Sequence, residues 1–391
     1  MKTKIWNWNK EEKMKILFHI LSGQSLQNYI AAKIVNPDLN FYLYTKESKN
    51  GLNVHIEVLG KNYKSEQIES WDYLSVYKRV KNITEQYSED TLLLNFTGGN
   101  KVISQAAFNA FKDKNYDCIY INSQDNEFIY FDHHKPGIEK VSSQKIVLNV
   151  NIADFLSLNG QKIKYSDNRE STEKEKLREF LTKNYKDYSK YILQFARNWD
   201  AKFPNSNNSK YISDGKFKGS YIKFEEECSQ IYFVKNAKEE LILKEEGTEL
   251  LEYLTGKWFE TACYLKLKSL NYFNEIQQNA TLDKLNKSDS TKYQDKNEFD
   301  IIAATGVYPI IFECKAGGLR SEYIDKLNNF KQTYLGRYSS VFFITYFPIN
   351  SFTESDILLN ERLDENNIKL ITFSELNSSL IPKLKSHKNL K

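Results

Sequence analysis

The sequence predicts an α/β protein with two sheet-bearing regions joined by a polar connector, and three observations predict it. Between residues 15 and 131, short apolar strand signals alternate with helical ones, the pattern of a parallel, Rossmann-like sheet. From about 150 to 240 the chain turns polar, includes the run PNSNNSK, and offers little apolar surface to bury. Beyond 241, a helical pattern, two strands around a glycine turn, a second helix and a strong apolar strand spell a mixed sheet flanked by helices. The regions are therefore 1–150, 151–240 and 241–391, and no internal repeat is visible.

Each element has its own signal. Lys15–Ile20 (KILFHI) reads as a buried strand, followed by the turn Ser22-Gly23-Gln24-Ser25 and a helix over Leu26–Val35 that Asn36-Pro37 stops. Residues 41–45 and 54–59 read as the second and third strands, and 71–86 as a helix. The fourth strand is 91–96 (TLLLNF), from which Thr97-Gly98-Gly99-Asn100-Lys101 leads into a helix over 102–112; strands at 118–122 and 128–131 close the set. In the connector, 185–199 reads as one helix, and 221–224 with 230–234 as a hairpin. The last region carries a helix over 248–268, strands on both sides of Thr305-Gly306, a helix over 321–335 and a strand over 340–346 (SVFFITY).

Composition narrows the function classes. A chain of 391 residues exceeds one typical core, and 40% hydrophobic with 27% charged residues is ordinary for a soluble protein. The net charge of +4 does not by itself announce nucleic acid, so any basic surface must be local. The 26 Tyr and 24 Phe supply core and base-stacking surfaces. Cysteines at 118, 228, 263 and 314 form no CxxC pair, which argues against a disulfide framework and a zinc site and fits a reducing cytoplasm. The N-terminus MKTKIWNWNKEEKMK lacks the apolar core of a signal peptide, and no run approaches membrane-span length.

In an open α/β sheet, ligands sit outside the carboxyl ends of the strands, where helix N-termini expose N–H groups. Two loops of the right kind lie there: Ser22, Gly23, Gln24 and Ser25 after the first strand, and Thr97, Gly98, Gly99, Asn100 and Lys101 after the fourth. Glycines allow close backbone approach, hydroxyls and amides donate hydrogen bonds, and Lys101 can counter phosphate charge. Either the loops hold an anionic, phosphate-bearing ligand or the glycines merely turn the chain. Neither loop is GxGxxG or GxxxxGK[ST], so NAD and ATP are not favoured. LNFTGGNKVIS, preceded by ILSGQSLQN, resembles the ligand loops of the CRISPR-associated Rossmann-fold (CARF) domain, and the element order over 15–135 also fits. The resemblance implies a homodimeric sensor of cyclic oligoadenylates in type III CRISPR immunity, with Ser22, Gln24, Ser25 and Thr97 to Lys101 lining a two-fold symmetric pocket.

The second constellation is NEFDIIAATGVYPIIFECKAG, from Asn297 to Gly317. A charge ending a buried strand is costly unless paired or metal-bound. Strand alternation puts Glu298 with Asp300, and Ile311 with Glu313 and Lys315, on shared faces. With an even turn such as Ala304 to Val307, Asp300 lies opposite Ile311 and diagonal to Glu313, while Phe299, Ile310, Phe312 and Cys314 pack inward. Two carboxylates with the backbone carbonyl of Cys314 suit Mg²⁺ or Mn²⁺, and Lys315 would orient or deprotonate water or offset phosphate charge. The other reading is a cross-strand ion pair on a solvated face. The pattern resembles the PD-(D/E)xK restriction-endonuclease-like fold, with Asp300, Glu313 and Lys315 on its motif positions, although Phe299 stands where the motif name has proline. It is similar to the branch carrying G-x-W-hydrophobic-E, N-E-x-D and E-C-K, here Gly256 to Glu260, Asn297 to Asp300 and Glu313 to Lys315. This likeness implies a metal-dependent nuclease of DNA or RNA in which Glu260 is a further metal or water ligand. By periodicity Glu260 lies off the stripe of Leu251, Leu254, Trp258, Ala262 and Leu265, so it is equally a solvated glutamate.

Both resemblances occur in this order in CRISPR ancillary nucleases, which implies a homodimer switched on by a cyclic oligoadenylate, with cyclic tetra-adenylate expected by family analogy. A constitutive nuclease with an N-terminal dimerisation domain and a non-enzymatic nucleotide sensor are the alternatives. His133 and His134 in FDHHKPG read as a strand-end turn, the tail PKLKSHKNLK as solvated charge, and Arg320, Lys326 and Lys331 as phosphate contacts or surface charges.

Overall fold

The computed structural model describes residues 13–386 apart from 24, 61, 124, 135–139, 166–169, 202–209, 213–219, 226–229, 236–237, 245–251, 285–296, 336–338 and 349–353. The first sheet is built from β1 (Lys15–Ile20), α1 (Leu26–Val35), β2 (Leu39–Tyr44), α2 (Lys49–Leu59), β3 (Tyr63–Gln67), α3 (Tyr73–Glu85), β4 (Thr91–Asn95), α4 (Lys101–Lys112), β5 (Asp117–Asn122), β6 (Glu127–Asp132) and β7 (Lys140–Lys145). Its order is β3-β2-β1-β4-β5-β6-β7, with β1 to β5 parallel and β6 and β7 antiparallel. β1 shows why: from Ile16 to Ile20 it is buried without a break, as in a strand covered on both faces.

Residues 54–59, expected as a strand, are the second half of α2. Val54, Ile56 and Val58 mimic period 2, but it is Leu52 and His55, one turn apart, that are fully buried. The true third strand, YKSEQ, is a polar sheet edge and gives no apolar signal.

The chain then passes through α5 (Ile152–Leu158), β8 (Gln161–Tyr165) and the thirty-residue α6 (Thr172–Ala201). This stretch differs from the connector expected there. β8 is the edge strand of the second sheet, and Leu177, Leu181, Tyr185 and Ile192 of α6 are buried beside Trp258 in its core. The hairpin expected next is present within a four-stranded antiparallel sheet of β9 (Lys210–Ile212), β10 (Ser220–Glu225), β11 (Gln230–Lys235) and β12 (Lys238–Lys244).

The last region contains α7 (Trp258–Ser269), β13 (Glu275–Lys284), β14 (Asn297–Thr305), β15 (Tyr308–Lys315), α8 (Ser321–Phe330), β16 (Ser340–Thr345), α9 (Glu354–Glu365), β17 (Ile368–Thr372) and α10 (Leu376–Ser386). Its six-stranded sheet runs β17-β16-β15-β14-β13-β8. Both faces are covered. Ile301, Ala303, Ile310 and Phe312 pack with Trp258 and Phe259 of α7 on one side, and Ile302, Ile311 and Phe343 pack with Ile324 of α8 on the other. The second cluster also includes Tyr29 and Ile30 of α1 and Phe155 of α5, so one core spans both sheets. Val150 N–H donates to the Gly306 carbonyl at 2.9 Å, and Gly306 N–H to Asn149 Oδ1 at 3.1 Å, tying the exit of the first sheet to the β14–β15 turn. Among the described residues, no helix is long and apolar enough to cross a membrane.

Candidate functional site

β1, β2 and β4 are hydrogen-bonded neighbours whose carboxyl ends lie side by side. A cavity of about 890 Å³ opens there. Ser25, Ser48 and Asn100, the residues before α1, α2 and α4, all line it. Three helix N-termini thus converge on one space, each bringing unpaired N–H groups and the positive end of its dipole. Neither Ser25 nor Ser48 caps its helix with its side chain, whereas Asn100 Oδ1 accepts from Ile103 N–H at 3.0 Å. Buried His55 joins two of these starts, with Nδ1 2.8 Å from the Gly51 carbonyl and Nε2 3.1 Å from that of Ser25. Among the described residues, no lysine, arginine or histidine lines the cavity, and Glu47 is the one charged group in the wall. Backbone dipoles, rather than cations, make the cavity hospitable to an anion.

The expected ligand residues divide. Ser22, Gly23, Ser25, Gly99 and Asn100 line the cavity; Thr97, Gly98 and Lys101 do not, and Gln24 lies outside the described residues. Thr97 turns inward, its Oγ1 donating to Asn95 Oδ1 and accepting from Ile121 N–H, both at 2.7 Å. Gly98 is required by packing, because a Cβ there would lie 2.0 Å from the Ile20 carbonyl oxygen. Gly99 has φ +79°, and its Cβ would meet Ile20 Cγ2 at 2.6 Å. The glycines therefore seat the loop against β1, and Lys101 is exposed away from the wall. Sequence reasoning missed Thr45, Glu47 and Ser48 after β2, Ser70 and Trp71 before α3, Asn159 and Gly160 after α5, and Thr333 beyond α8. The carboxyl end of β2, beside β1, was a usable signal for the first group.

The second site lies at the end of β14 and β15, the two middle strands of the second sheet. Thr305 pairs with Tyr308, so the turn is Gly306-Val307 alone. The loop is even, as expected, but the register is displaced by two. Asp300 and Glu313 each lie one residue beyond the last paired rung, Ile301 with Phe312, so Asp300 faces Glu313 rather than Ile311. The inward set also differs. Ile310, Phe312 and Cys314 share one core layer, while Phe299 joins the other, its ring 4.4 Å from that of Phe330. Alternation on β14 therefore breaks at Asp300, opposite Asn279 with its left-handed φ of 50°.

This break lets Asp300 Oδ2 accept from Cys314 N–H at 2.7 Å. Lys315 Nζ lies 2.7 Å from Glu313 Oε1 and 3.7 Å from Asp300 Oδ2, and 5.4 Å from the centre of the Tyr323 ring. Glu260 comes from the first turn of α7. Trp258 fixes that helix, fully buried and donating from its indole N–H to the Leu254 carbonyl at 3.1 Å. Gly256 lies beside the acid: a Cβ there would stand 3.4 Å from Glu260 Oε1, in van der Waals contact. Of the expected stripe, Leu254, Trp258 and Ala262 are buried, Leu265 is exposed, and Leu251 lies outside the described residues.

These groups lie close enough to shift one another's protonation. Burial, with Glu313 and Glu260 beside it, pushes the Asp300 carboxyl well above the usual carboxylate range. Burial also raises Glu260 to about 7; Glu313 and Glu298 add to the effect, while Lys315 and Lys257 oppose it. For Lys315, burial works against the charge, but Asp300 and Glu313 outweigh it and hold the ammonium protonated. Three carboxyl groups crowd one ammonium, and the hard oxygen donors they offer fit a divalent cation, whose charge would favour their ionised forms. Among the described residues no three His, Cys, Asp or Glu side chains converge tightly enough to hold an ion by themselves, because Lys315 sits between Asp300 and Glu313.

Residues 16–155 match the family model of the Card1 CARF domain. The first sheet is a CARF sheet. Over nearly its whole length the chain is similar to Can2 from Sulfobacillus thermosulfidooxidans, solved with cyclic tetra-adenylate, at 18% identity and TM-score 0.70, covering 95% of this chain and 99% of that one. It is similar to protein VC1899 from Vibrio cholerae at 13% identity and TM-score 0.72, covering 96% and 98%. It also resembles a type III CRISPR defence DNA nuclease activated by cyclic oligoadenylate, at 13% identity and TM-score 0.52, covering 91% of this chain and 52% of that one. At such identities the likeness is one of fold. No curated protein sequence matches the chain.

The helix-ended cavity is therefore formed largely by the CARF segment, with Leu158, Asn159, Gly160 and Thr333 added from outside it. The remaining singled-out residues are placed as follows. His133 is buried with Nδ1 2.8 Å from the Tyr116 carbonyl, and His134 Nε2 lies 3.1 Å from Asp117 Oδ2. Lys331, expected at the surface, is only 4% exposed, with Nζ 3.5 Å from the Asn366 carbonyl. Arg320 is exposed and pairs with Glu322 at 3.4 Å, and Lys326 is exposed.

Proposed function

We propose that the protein is a nuclease activated by a cyclic oligoadenylate, acting as a homodimer in type III CRISPR defence and cutting DNA or RNA with Mg²⁺ or Mn²⁺. The observation that carries this reading is the Asp300–Lys315–Glu313 contact at the end of the two middle strands, in a chain whose first sheet is of CARF type. The cavity, into which three helix N-termini open, supports an activator whose phosphates are met by backbone N–H groups. The bound cyclic tetra-adenylate of Can2 favours the four-membered ring.

Asp300, Glu313 and the Cys314 carbonyl would hold the ion, with Glu260 beside them. A bound divalent ion would supply an acidified water and stabilise charge on the phosphorus. Lys315 already has a proton that two carboxylates stabilise, so its part is to offset phosphate charge and orient the water rather than to take a proton from it. Activator binding would favour the cleaving arrangement of the dimer by differential affinity.

The test is cleavage of single- and double-stranded DNA and RNA, with and without each cyclic oligoadenylate, in Mg²⁺ and in Mn²⁺. Activator-dependent cutting by the wild type, lost in Glu313→Gln, is expected. Equal cutting without activator would favour a constitutive enzyme, and no cutting of any substrate would leave only a nucleotide sensor.

A further inference from the structure

Phosphate binding leaves two features of the cavity wall unexplained. Trp71 is 77% exposed, yet the backbone on both sides of it is fixed. Asn100 Nδ2 donates to the Ser70 carbonyl at 2.6 Å, and Asp72 caps α3 by accepting from Ser75 N–H at 3.0 Å. A flat aromatic surface on a pinned backbone can stack a base with little further loss of freedom.

The second feature is Glu47. As the one charged group among the described residues of the wall it repels phosphate, so it must face a part of the ligand that offers hydrogen-bond donors. Ser70 Oγ donates to Glu47 Oε2 at 2.8 Å, which places this carboxylate next to the Trp71 backbone. Hydrogen bonds from Thr45, its own backbone and Ser70 hold its carboxyl below the usual range, so it is ionised at neutral pH. The bases are the donor-bearing, stackable part of an oligoadenylate. Adenine presents an exocyclic amine, and hypoxanthine presents a carbonyl at the same position.

We propose that Trp71 and Glu47 form an adenine subsite, the indole stacking on the ring and Glu47 accepting from its exocyclic amine. This rests on the activator reading above and deepens it by naming how the base is read.

Binding of cyclic tetra-adenylate and cyclic tetra-inosinate to the full chain, followed calorimetrically and by tryptophan fluorescence, tests the proposal. The wild type is expected to bind the adenylate more tightly than the inosinate, with a fluorescence change that Trp71→Phe abolishes. Trp71→Ala weakens adenylate binding about 5- to 150-fold, the range of one lost stacking contact, while Trp71→Phe stays within a few-fold. Glu47→Gln narrows the adenylate preference, because an amide can donate to the carbonyl as well as accept. Equal binding by wild type and Trp71→Ala, or an adenylate preference untouched in Glu47→Gln, overturns the subsite while the activator reading stands. Failure of the wild type to bind cyclic tetra-adenylate sinks both.

Discussion

Replacing Glu260 with glutamine in the metal-free protein tests whether the acids form one electrostatic unit. Glu260 has a carboxyl raised from 4.5 to about 7, chiefly by burial. That displacement corresponds to roughly 3 kcal/mol at about 1.4 kcal/mol per unit. The sign follows from linkage. Below pH 4.5 the group is protonated in folded and unfolded chains alike, and its stability contribution is fully present. Between 4.5 and 7 the unfolded chain ionises first, so stability falls; above 7 the loss is complete. Glu260→Gln does not titrate, so with chelator present its stability advantage should grow through this window and level off above it. For a region of this size the plateau amounts to roughly 6–12 °C in melting temperature. Thermal unfolding followed by circular dichroism at pH 5, 6, 7 and 8 measures it. Adding Mn²⁺ should raise the wild-type melting temperature at pH 8 and raise that of Glu260→Gln less. A variant difference that is constant with pH, or a less stable variant at pH 8, would refute the argument.

Glu313→Gln and Lys315→Ala should each lower cleavage at least about 100-fold while activator affinity, measured calorimetrically, stays within two-fold of the wild type (~). Gly98→Ala should remove activator binding, because its Cβ cannot lie 2.0 Å from the Ile20 carbonyl oxygen and the loop must move away from β1; titration with cyclic tetra-adenylate checks it. Buried His19 is lowered to about 3, chiefly by burial. Its unfolded form gains a proton first as pH falls below 6.5, so stability should decline from there towards pH 3, and His19→Gln should flatten that decline in acid-unfolding curves.

Legibility followed burial. β1, β15 and β16 are covered on both faces, so their sequences are almost unbroken apolar runs that no other element imitates. The edge strands β3 and β7, YKSEQ and KVSSQK, have no such run and left no trace. α6 was read as a helix only over 185–199, and its first half and its place in the core escaped for a related reason. Leu177, Leu181 and Tyr185 supply one buried side chain per turn, a stripe too narrow to stand out from its charged flanks, and a region that builds core therefore reads as a tether. Trp71 was drawn into the α3 pattern by its apolarity, although Asp72 and Ser75 mark the cap that leaves it outside.

The two sites were legible to different depths because they are made differently. Asp300 and Glu313 sit on one hairpin, where parity follows from local chain geometry; the length of the turn, and with it the register, was beyond reach, as was the break at Asp300 that sends Phe299 to the other layer. The cavity is made by contacts distant in sequence. Glycines at 98 and 99 mark a loop at a strand end, yet they are fixed by the closeness of Ile20 rather than by a ligand. A basic residue in such a loop is an easy guess for a phosphate partner, but Lys101 is not among the wall residues, and the positive potential comes from three helix starts brought together by the order β2-β1-β4. Charge carried by the backbone has no letter in the sequence, so only topology can reveal it.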